Sequence, residues 1–163
     1  MANIKCPNCA REFVRRVSRA GFAEPVLSLF YIYPFQCQLC GFRFRFFQWG
    51  IRSIRVEEDR RVYDRLKISC PVAFTGENCA GEGRLIEVSM GGCNFSTAMP
   101  LTAGAVLRMV LEVSKDVEPI VIDATVVRCV RPENIGVEFI HCQAGERERL
   151  QQFVRGLLID QHK

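Results

Sequence analysis

The sequence predicts a mainly β protein in two parts: a small cysteine-rich domain, then a barrel or sandwich that ends in one helix. Three observations carry this expectation. Two Cys-x-x-Cys pairs lie within residues 6–40. From residue 66 onward come six runs of alternating apolar residues separated by Gly, Asn and Pro turns, the pattern of antiparallel β architecture. Residues 145–161 then switch to a helical period.

Charge divides the chain in the same way. Residues 1–68 hold 13 Lys/Arg against 6 Asp/Glu, a net of +7, while residues 69–163 hold 9 against 12, a net of −3. A basic front half expects an anionic partner such as a nucleotide, a nucleic acid or a lipid surface. The boundaries that follow are 1–50 for a cysteine-rich domain, 51–58 for a charged linker without a clear period, and 59–163 for the β domain.

The first domain opens on Cys6-Pro7-Asn8-Cys9 and closes, 27 residues later, on Cys37-Gln38-Leu39-Cys40-Gly41. Tetrahedral zinc needs four soft donors about 2.3 Å from the ion, and each CxxC turn presents two thiolates from one tight loop. Gly41 permits a positive φ after the second pair. The segment resembles the zinc-ribbon family across its two knuckles, with Cys6, Cys9, Cys37 and Cys40 as ligands. A rubredoxin-like iron site would use the same four residues. A redox CxxC would need one pair in a βα setting, and here there are two. A closed four-thiolate shell leaves no open coordination position, so the metal is structural, and so small a unit needs it to fold.

Between and after the knuckles lie a basic run at 11–19, an apolar run at 26–35, and Phe42-Arg43-Phe44-Arg45-Phe46-Phe47. The last alternates at period two, as a half-buried strand does. Its phenylalanines are expected to form the small core and its arginines to be solvated. Interleaved aromatic and basic residues also suit nucleic-acid binding, and 26–35 suits an exposed docking patch. At about ten residues it is half the length of a membrane helix.

In the β domain, Leu66, Ile68, Cys70, Val72 and Phe74 alternate with more polar neighbours. Over 84–89, Ile86 and Val88 share one face and Leu85, Glu87 and Ser89 the other. Cys93, Phe95 and Thr97 follow Gly91-Gly92. Ala105, Leu107, Met109, Leu111 and Val113 form a fourth inward row. Ile120–Val130 is β-branched and nearly continuous, and 134–140 points Val137 and Phe139 inward. The terminal helix places Leu150, Phe153, Val154, Leu157 and Leu158 at helical spacing, suited to packing on the barrel. Gly156 within it implies a close contact or fraying, since glycine costs ~1 kcal/mol relative to alanine there.

Two motifs frame the first two strands. Arg61 and Arg65 form an RxxxR pair within Arg60-Arg61-Val62-Tyr63-Asp64-Arg65, and Glu87-Val88-Ser89-Met90-Gly91-Gly92 ends the second strand. With the six-strand pattern, the Ile135-Gly136-Val137-Glu138-Phe139 strand and the final helix, these resemble the PilZ family over about residues 59–158. The family's motifs are RxxxR and (Asp/Asn)xSxxG. The second matches at Ser89 and Gly92, with Glu87 in place of the shorter leading residue. The resemblance implies a six-stranded antiparallel β-barrel with a C-terminal α-helix, and a receptor for the second messenger cyclic di-GMP. The implied ligand contacts are Arg60, Arg61, Arg65, Glu87, Ser89, Gly91 and Gly92, and a basic residue at position 60 goes with capture of an intercalated ligand dimer.

The residue chemistry agrees. A guanidinium fork pairs phosphate oxygens two at a time, bonds guanine O6 and N7, or stacks on a purine. A carboxylate accepts from guanine N–H groups, a serine donates, and glycines admit a close backbone approach. Because the arginines end the linker, ligand capture is expected to order it and reorient the ribbon. No nucleophile–base set stands out, so no enzyme is expected. Rival readings are a degenerate PilZ module that binds only protein, and a nucleic-acid-binding ribbon. The odd count of nine cysteines argues against a secreted disulfide framework and for a cytoplasmic protein, with Cys70, Cys79, Cys93, Cys129 and Cys142 as small buried apolar residues.

Overall fold

The computed structural model describes residues 4–17, 23–49, 63–114 and 117–161. The chain divides into two compact units, Met1–Asp64 and Arg65–Lys163. The expected linker at 51–58 and the ligand arginines Arg60 and Arg61 lie outside the described residues.

The N-terminal unit is a three-stranded antiparallel sheet, order β1 (Val14–Arg16), β2 (Ile32–Cys37), β3 (Arg43–Phe47), with a short helix α1 (Ala23–Leu29) ahead of β2. Its core is Tyr33, Phe35, Leu39, Cys6 and Cys37. This corrects the expectation for 42–47. Phe44 is half-buried against Phe35, but Phe42, Phe46 and Phe47 are exposed. The physical reason is that β3 is an edge strand with a neighbour on one side only, so its side chains have cross-strand partners on one flank and solvent on the other. The apolar run 26–35 is split between α1 and β2, leaving Val26, Leu29 and Phe30 exposed.

The C-terminal unit is a closed six-stranded antiparallel barrel, with strands β4 (Leu66–Gly76), β5 (Ala80–Ser89), β6 (Gly92–Ser96), β7 (Val106–Leu111), β8 (Ile120–Val130) and β9 (Ile135–His141). Around the barrel the order is β4-β5-β6-β9-β8-β7, and closure removes every sheet edge. Val72, Phe74, Leu85, Phe95, Leu107, Met109, Leu111 and Ile122 fill it, and the Phe74 and Phe95 rings meet at 5.5 Å. Those of β4, β6 and β7 belong to the inward rows expected there, and Ile122 lies in the nearly continuous apolar run of β8.

β5 departs from the expected alternation. Leu85 and Val88 are buried, whereas Ile86 is exposed. The register slips between Leu85 and Glu87 against β6, and between Lys67 and Cys70 against β4. One extra residue therefore separates Leu85 from Val88, and the bulge lets both point inward. A strict period of two cannot see this.

Helix α2 (Ala144–Gln161) packs on β8 and β4 through Leu150, Val154 and Leu158 at i, i+4, i+8. Glu146 in its first turn accepts from the Val121 amide at 2.7 Å and from Arg149 Nη1 at 2.9 Å, tying the helix start to β8. Gly156 makes no close contact: a methyl there would meet nothing within 4 Å. Of the five scattered cysteines, Cys70 and Cys93 are core residues, but Cys79 and Cys142 are half-buried and Cys129 is exposed. None of the nine is in a disulfide.

Candidate ligand face and metal centre

In the N-terminal unit the two CxxC turns have the same local structure. The Ala10 amide donates to the Cys6 carbonyl at 2.8 Å and the Gly41 amide to the Cys37 carbonyl at 3.0 Å. The Cys6 amide likewise donates to Arg11 at 2.8 Å and that of Cys37 to Phe42 at 3.0 Å. The residue after each second cysteine is left-handed: Ala10 at φ 56° and Gly41 at φ 74°. Gly41 bears out the positive φ read from its sequence position. Ala10 performs the same turn at a steric cost that glycine avoids.

This repetition brings Cys6, Cys9, Cys37 and Cys40 together, with all four Sγ atoms within 4.8 Å of one another. Cys6–Cys40 and Cys9–Cys37 are each 3.6 Å apart. Four sulfurs about 2.3 Å from a tetrahedral ion stand about 3.8 Å from each other, so the cluster has the size and donor chemistry of a four-thiolate metal site. Burial pushes the Cys37 thiol up to about 12. Burial also raises Cys40, but bonds from the Phe42 amide, Asn8 and Cys6 outweigh it and bring that thiol to about 7. Four neighbouring thiolates without a cation repel, and a divalent ion reverses the balance.

Tyr63 and Asp64, which follow the expected ligand arginines in sequence, fold with this unit. The Tyr63 hydroxyl lies over Gly41, where a Cβ would come within 2.4 Å of it. Asp64 pairs with Arg15, and its amide donates to Gln38 Oε1 at 2.6 Å. Gln38 stands between the two cysteines of the second knuckle, so Tyr63 and Asp64 are held at the cysteine cluster.

In the barrel, β4 and β5 pair antiparallel with Leu66 opposite Val88 and Lys67 opposite Glu87. The start of β4 is therefore beside the end of β5. Arg65, one residue before β4, places Nη1 3.8 Å from Glu87 Oε2. The same oxygen accepts from Asn94 Nδ2 at 2.9 Å. Asn94 is opposite Glu87 on one side and Gly136 on the other. A Cβ at 136 would come within 2.9 Å of Asn94 Oδ1, so glycine leaves that amide its place. Arg65, Glu87 and Asn94 thus form one polar row on the outer wall.

Ser89 and Gly92 serve the fold here. Ser89 is only 7% exposed. Its hydroxyl donates to the Gly92 carbonyl at 3.1 Å and accepts from the Gly91 amide at 3.4 Å, closing the β5–β6 turn. Gly92 lies so close to β9 that a Cβ would stand 2.2 Å from the Val137 carbonyl oxygen. The Gly91 carbonyl accepts from the Phe139 amide at 2.9 Å. The structure thus brings Arg65 and Glu87 together and sets Ser89, Gly91 and Gly92 in the adjoining turn. Asn94 was not singled out in the sequence. Its one signal is an amide side chain in the middle of a short strand, where strand propensity is low.

A family model described as PilZ domain matches residues 59–156. Among solved structures, the Bacillus subtilis inhibitor of motility MotI/DgrA is 21% identical with a TM-score of 0.51, covering 64% of this chain and 56% of that one. MrkH of K. pneumonia in a P2(1) crystal is 15% identical with a TM-score of 0.52, covering 90% of this chain and 74% of that one. MrkH in its apo state is 17% identical with a TM-score of 0.51, covering 68% and 54%. At these identities the likeness is one of fold. No curated protein matches the chain.

Proposed function

The chain belongs to the PilZ domain family, and on that premise we propose that its barrel is a cyclic di-GMP receptor and its N-terminal unit a structural zinc ribbon. The family is a ligand-binding family rather than a catalytic one. The observation that carries the ligand reading is the Arg65–Glu87–Asn94 row at the junction of β4 and β5, where the two family motifs converge. Arg65 offers its fork to a phosphodiester or a guanine edge. Glu87, anchored by Asn94, keeps its other oxygen for guanine N–H donors. Arg61, four residues upstream, and Arg60 beside it supply the remaining cations, and a basic residue at position 60 goes in this family with capture of a ligand dimer. Ser89, Gly91 and Gly92 shape the turn that bounds the site.

A structural metal at Cys6, Cys9, Cys37 and Cys40 is favoured by the all-thiolate donor set and by a small core that offers little stability without one; the proposed ion is zinc, and metal analysis of the purified protein separates it from iron. When bound, the ion neutralises and crosslinks the thiolates. Signalling in this proposal runs through residues 60–65. Drawing Arg60, Arg61 and Arg65 onto the ligand orders the segment that joins the two units and reorients the ribbon. The nine unpaired thiols favour a reducing, cytoplasmic setting. Among the described residues no helix is long and apolar enough to cross a membrane.

Titration calorimetry with cyclic di-GMP tests the reading. Saturable heat in the wild type, abolished in Arg61→Ala/Arg65→Ala, is the expected result. No heat in the wild type sinks it and leaves a protein-interaction module. Hydrogen exchange over residues 51–66 tests the coupling: protection that does not rise under saturating ligand rules it out.

A further inference from the structure

The N-terminal unit carries a surface that neither the metal cluster nor the ligand row uses. Phe42, Phe46, Phe47 and Trp49 are 44%, 38%, 54% and 74% exposed. A small unit gains nothing in stability by keeping four aromatic side chains in water, and such patches mark interaction sites. They lie on or beside one edge strand, β3. Arg43 and Arg45 alternate with them and are exposed too.

From these features we infer that the β3 edge of the N-terminal unit binds single-stranded nucleic acid, with bases on its aromatic rings and phosphates at Arg43 and Arg45. Successive side chains of a strand point to opposite faces, so Phe42, Phe44 and Phe46 form one row and Arg43 and Arg45 the other. At an edge strand both rows border the same open rim. A single strand lying along that rim meets a stacking platform on one side and a cation row on the other, the combination that sequence-tolerant single-strand binders use. Ring geometry agrees. Phe42 and Phe44 are near-parallel, at 18°, with centroids 6.5 Å apart. That is close to two steps of about 3.4 Å, the base spacing along one strand. Beyond the strand end, Trp49 sits 4.6 Å from Tyr31 and 6.1 Å from Phe47, a second cluster whose outer ring is the most exposed.

Charge selects this occupant. Residues 1–50 carry 7 Lys/Arg against 2 Asp/Glu, a net of +5 that leaves out the arginines of the proposed cyclic di-GMP site, and this favours a polyanion over an apolar protein groove. A duplex hides its base faces within its own stack, so a row of exposed rings has little to gain from it. A lipid surface would use the aromatics as anchors but gives no reason for strict alternation with arginine.

Trp49 is the only tryptophan in the chain, so its fluorescence reports the site directly. The metal-loaded chain of residues 1–163 is titrated with a dT 15-mer, a U 15-mer, a duplex of matched length and anionic phosphatidylglycerol vesicles, each with and without cyclic di-GMP. Stacking is expected to quench Trp49 saturably with the single strands. Affinity falls with salt at a log–log slope of about −1.4 for two phosphate contacts. Arg43→Gln/Arg45→Gln flattens that slope. Phe47→Ala and Phe42→Ala, both at exposed positions, each weaken binding about 5- to 150-fold, the equivalent of one lost stacked base, with metal content unchanged. The inference is overturned if neither oligonucleotide changes Trp49 emission in either ligand state. It is equally overturned if duplex binds as tightly as single strand, or if only vesicles act, by a blue-shifted enhancement.

Discussion

Replacing Glu87 by alanine pits two effects of opposite sign against each other. Glu87 Oε2 stands 3.8 Å from Arg65 Nη1, and freeing that guanidinium for a ligand phosphate would strengthen binding. The gain is bounded. Unit charges at this separation attract by about 1 kcal/mol in a water-like dielectric. The side chains are 37% and 28% exposed, and pairs so open to solvent contribute about 1 kcal/mol at most. That is about fivefold in affinity. The loss is larger. A carboxylate accepting from guanine N–H groups makes a charge-assisted bond of about 1.5–3 kcal/mol, roughly 10- to 150-fold. Glu87→Ala is therefore expected to weaken cyclic di-GMP binding, by about tenfold at the centre of the net range, in calorimetric titrations at fixed salt. Position 87 points outward, so the fold should be unaffected. Tighter binding would refute the reasoning and make Glu87 a latch on Arg65. Unchanged binding would remove Glu87 from the ligand site.

Asn94 supplies the control. Its 2.9 Å bond to Glu87 has one purpose in this argument, to hold the carboxylate in place. Asn94→Ala should cost about 1 kcal/mol, or about fivefold in affinity. In a Glu87→Ala background it should cost nothing, because the group it positions is gone. Additive losses would mean that Asn94 meets the ligand itself.

Four further outcomes follow from the geometry. Chelation should release one metal ion per chain, read by a colorimetric zinc indicator, and unfold the N-terminal unit while the barrel's thermal transition persists. Ala10→Gly relieves a left-handed alanine, about 1–2 kcal/mol, against about 0.4–1 kcal/mol of added unfolded-chain entropy, and should stabilise the metal-loaded ribbon by up to about 1.5 kcal/mol in denaturant titrations. Gly92→Ala puts a methyl 2.2 Å from the Val137 carbonyl oxygen and should destabilise the barrel by about 1–3 kcal/mol. The Val121 amide and Arg149 hold the Glu146 carboxyl below its usual 4.5. Its contribution is thus present above pH 4.5 and lost as pH falls through the lower folded value. Glu146→Gln should lessen the acid-induced fall in Tm.

The parts legible in the sequence are those set by local chemistry. The cysteine cluster is one, because a CxxC turn places its two sulfurs by itself and only the meeting of two turns is left to the fold. Gly41 was readable for the same reason. Ala10 was not: alanine carries no turn signal, and only its equivalence to Gly41 in the folded knuckle explains its φ of 56°. The inward rows of β4 and β7 were legible because each keeps its period. The row of β5 was not, because a bulge changes phase between Leu85 and Glu87 and depends on pairing with β4 and β6.

The same bulge explains why the candidate ligand site could be read only in part. Arg65 and Glu87 are conspicuous as residue types, and each belongs to a motif. Asn94 belongs to none. It faces Glu87 because the shifted register sets residue 94 opposite 87, and it has space because residue 136, its neighbour on the other side, lacks a Cβ. The β5–β6 hairpin and the distant strand β9 must pair in one register before that contact exists. A glutamate in place of a shorter residue then acquires a structural reason. Its added methylene extends the carboxylate across β5 to the Asn94 amide, so a change that looks like a defect in the motif is compensated one strand away. Glu87→Asp tests this pairing directly: the shorter side chain should let go of Asn94 and make binding indifferent to Asn94→Ala. Persistent sensitivity to Asn94 in that background would show that the two residues act independently.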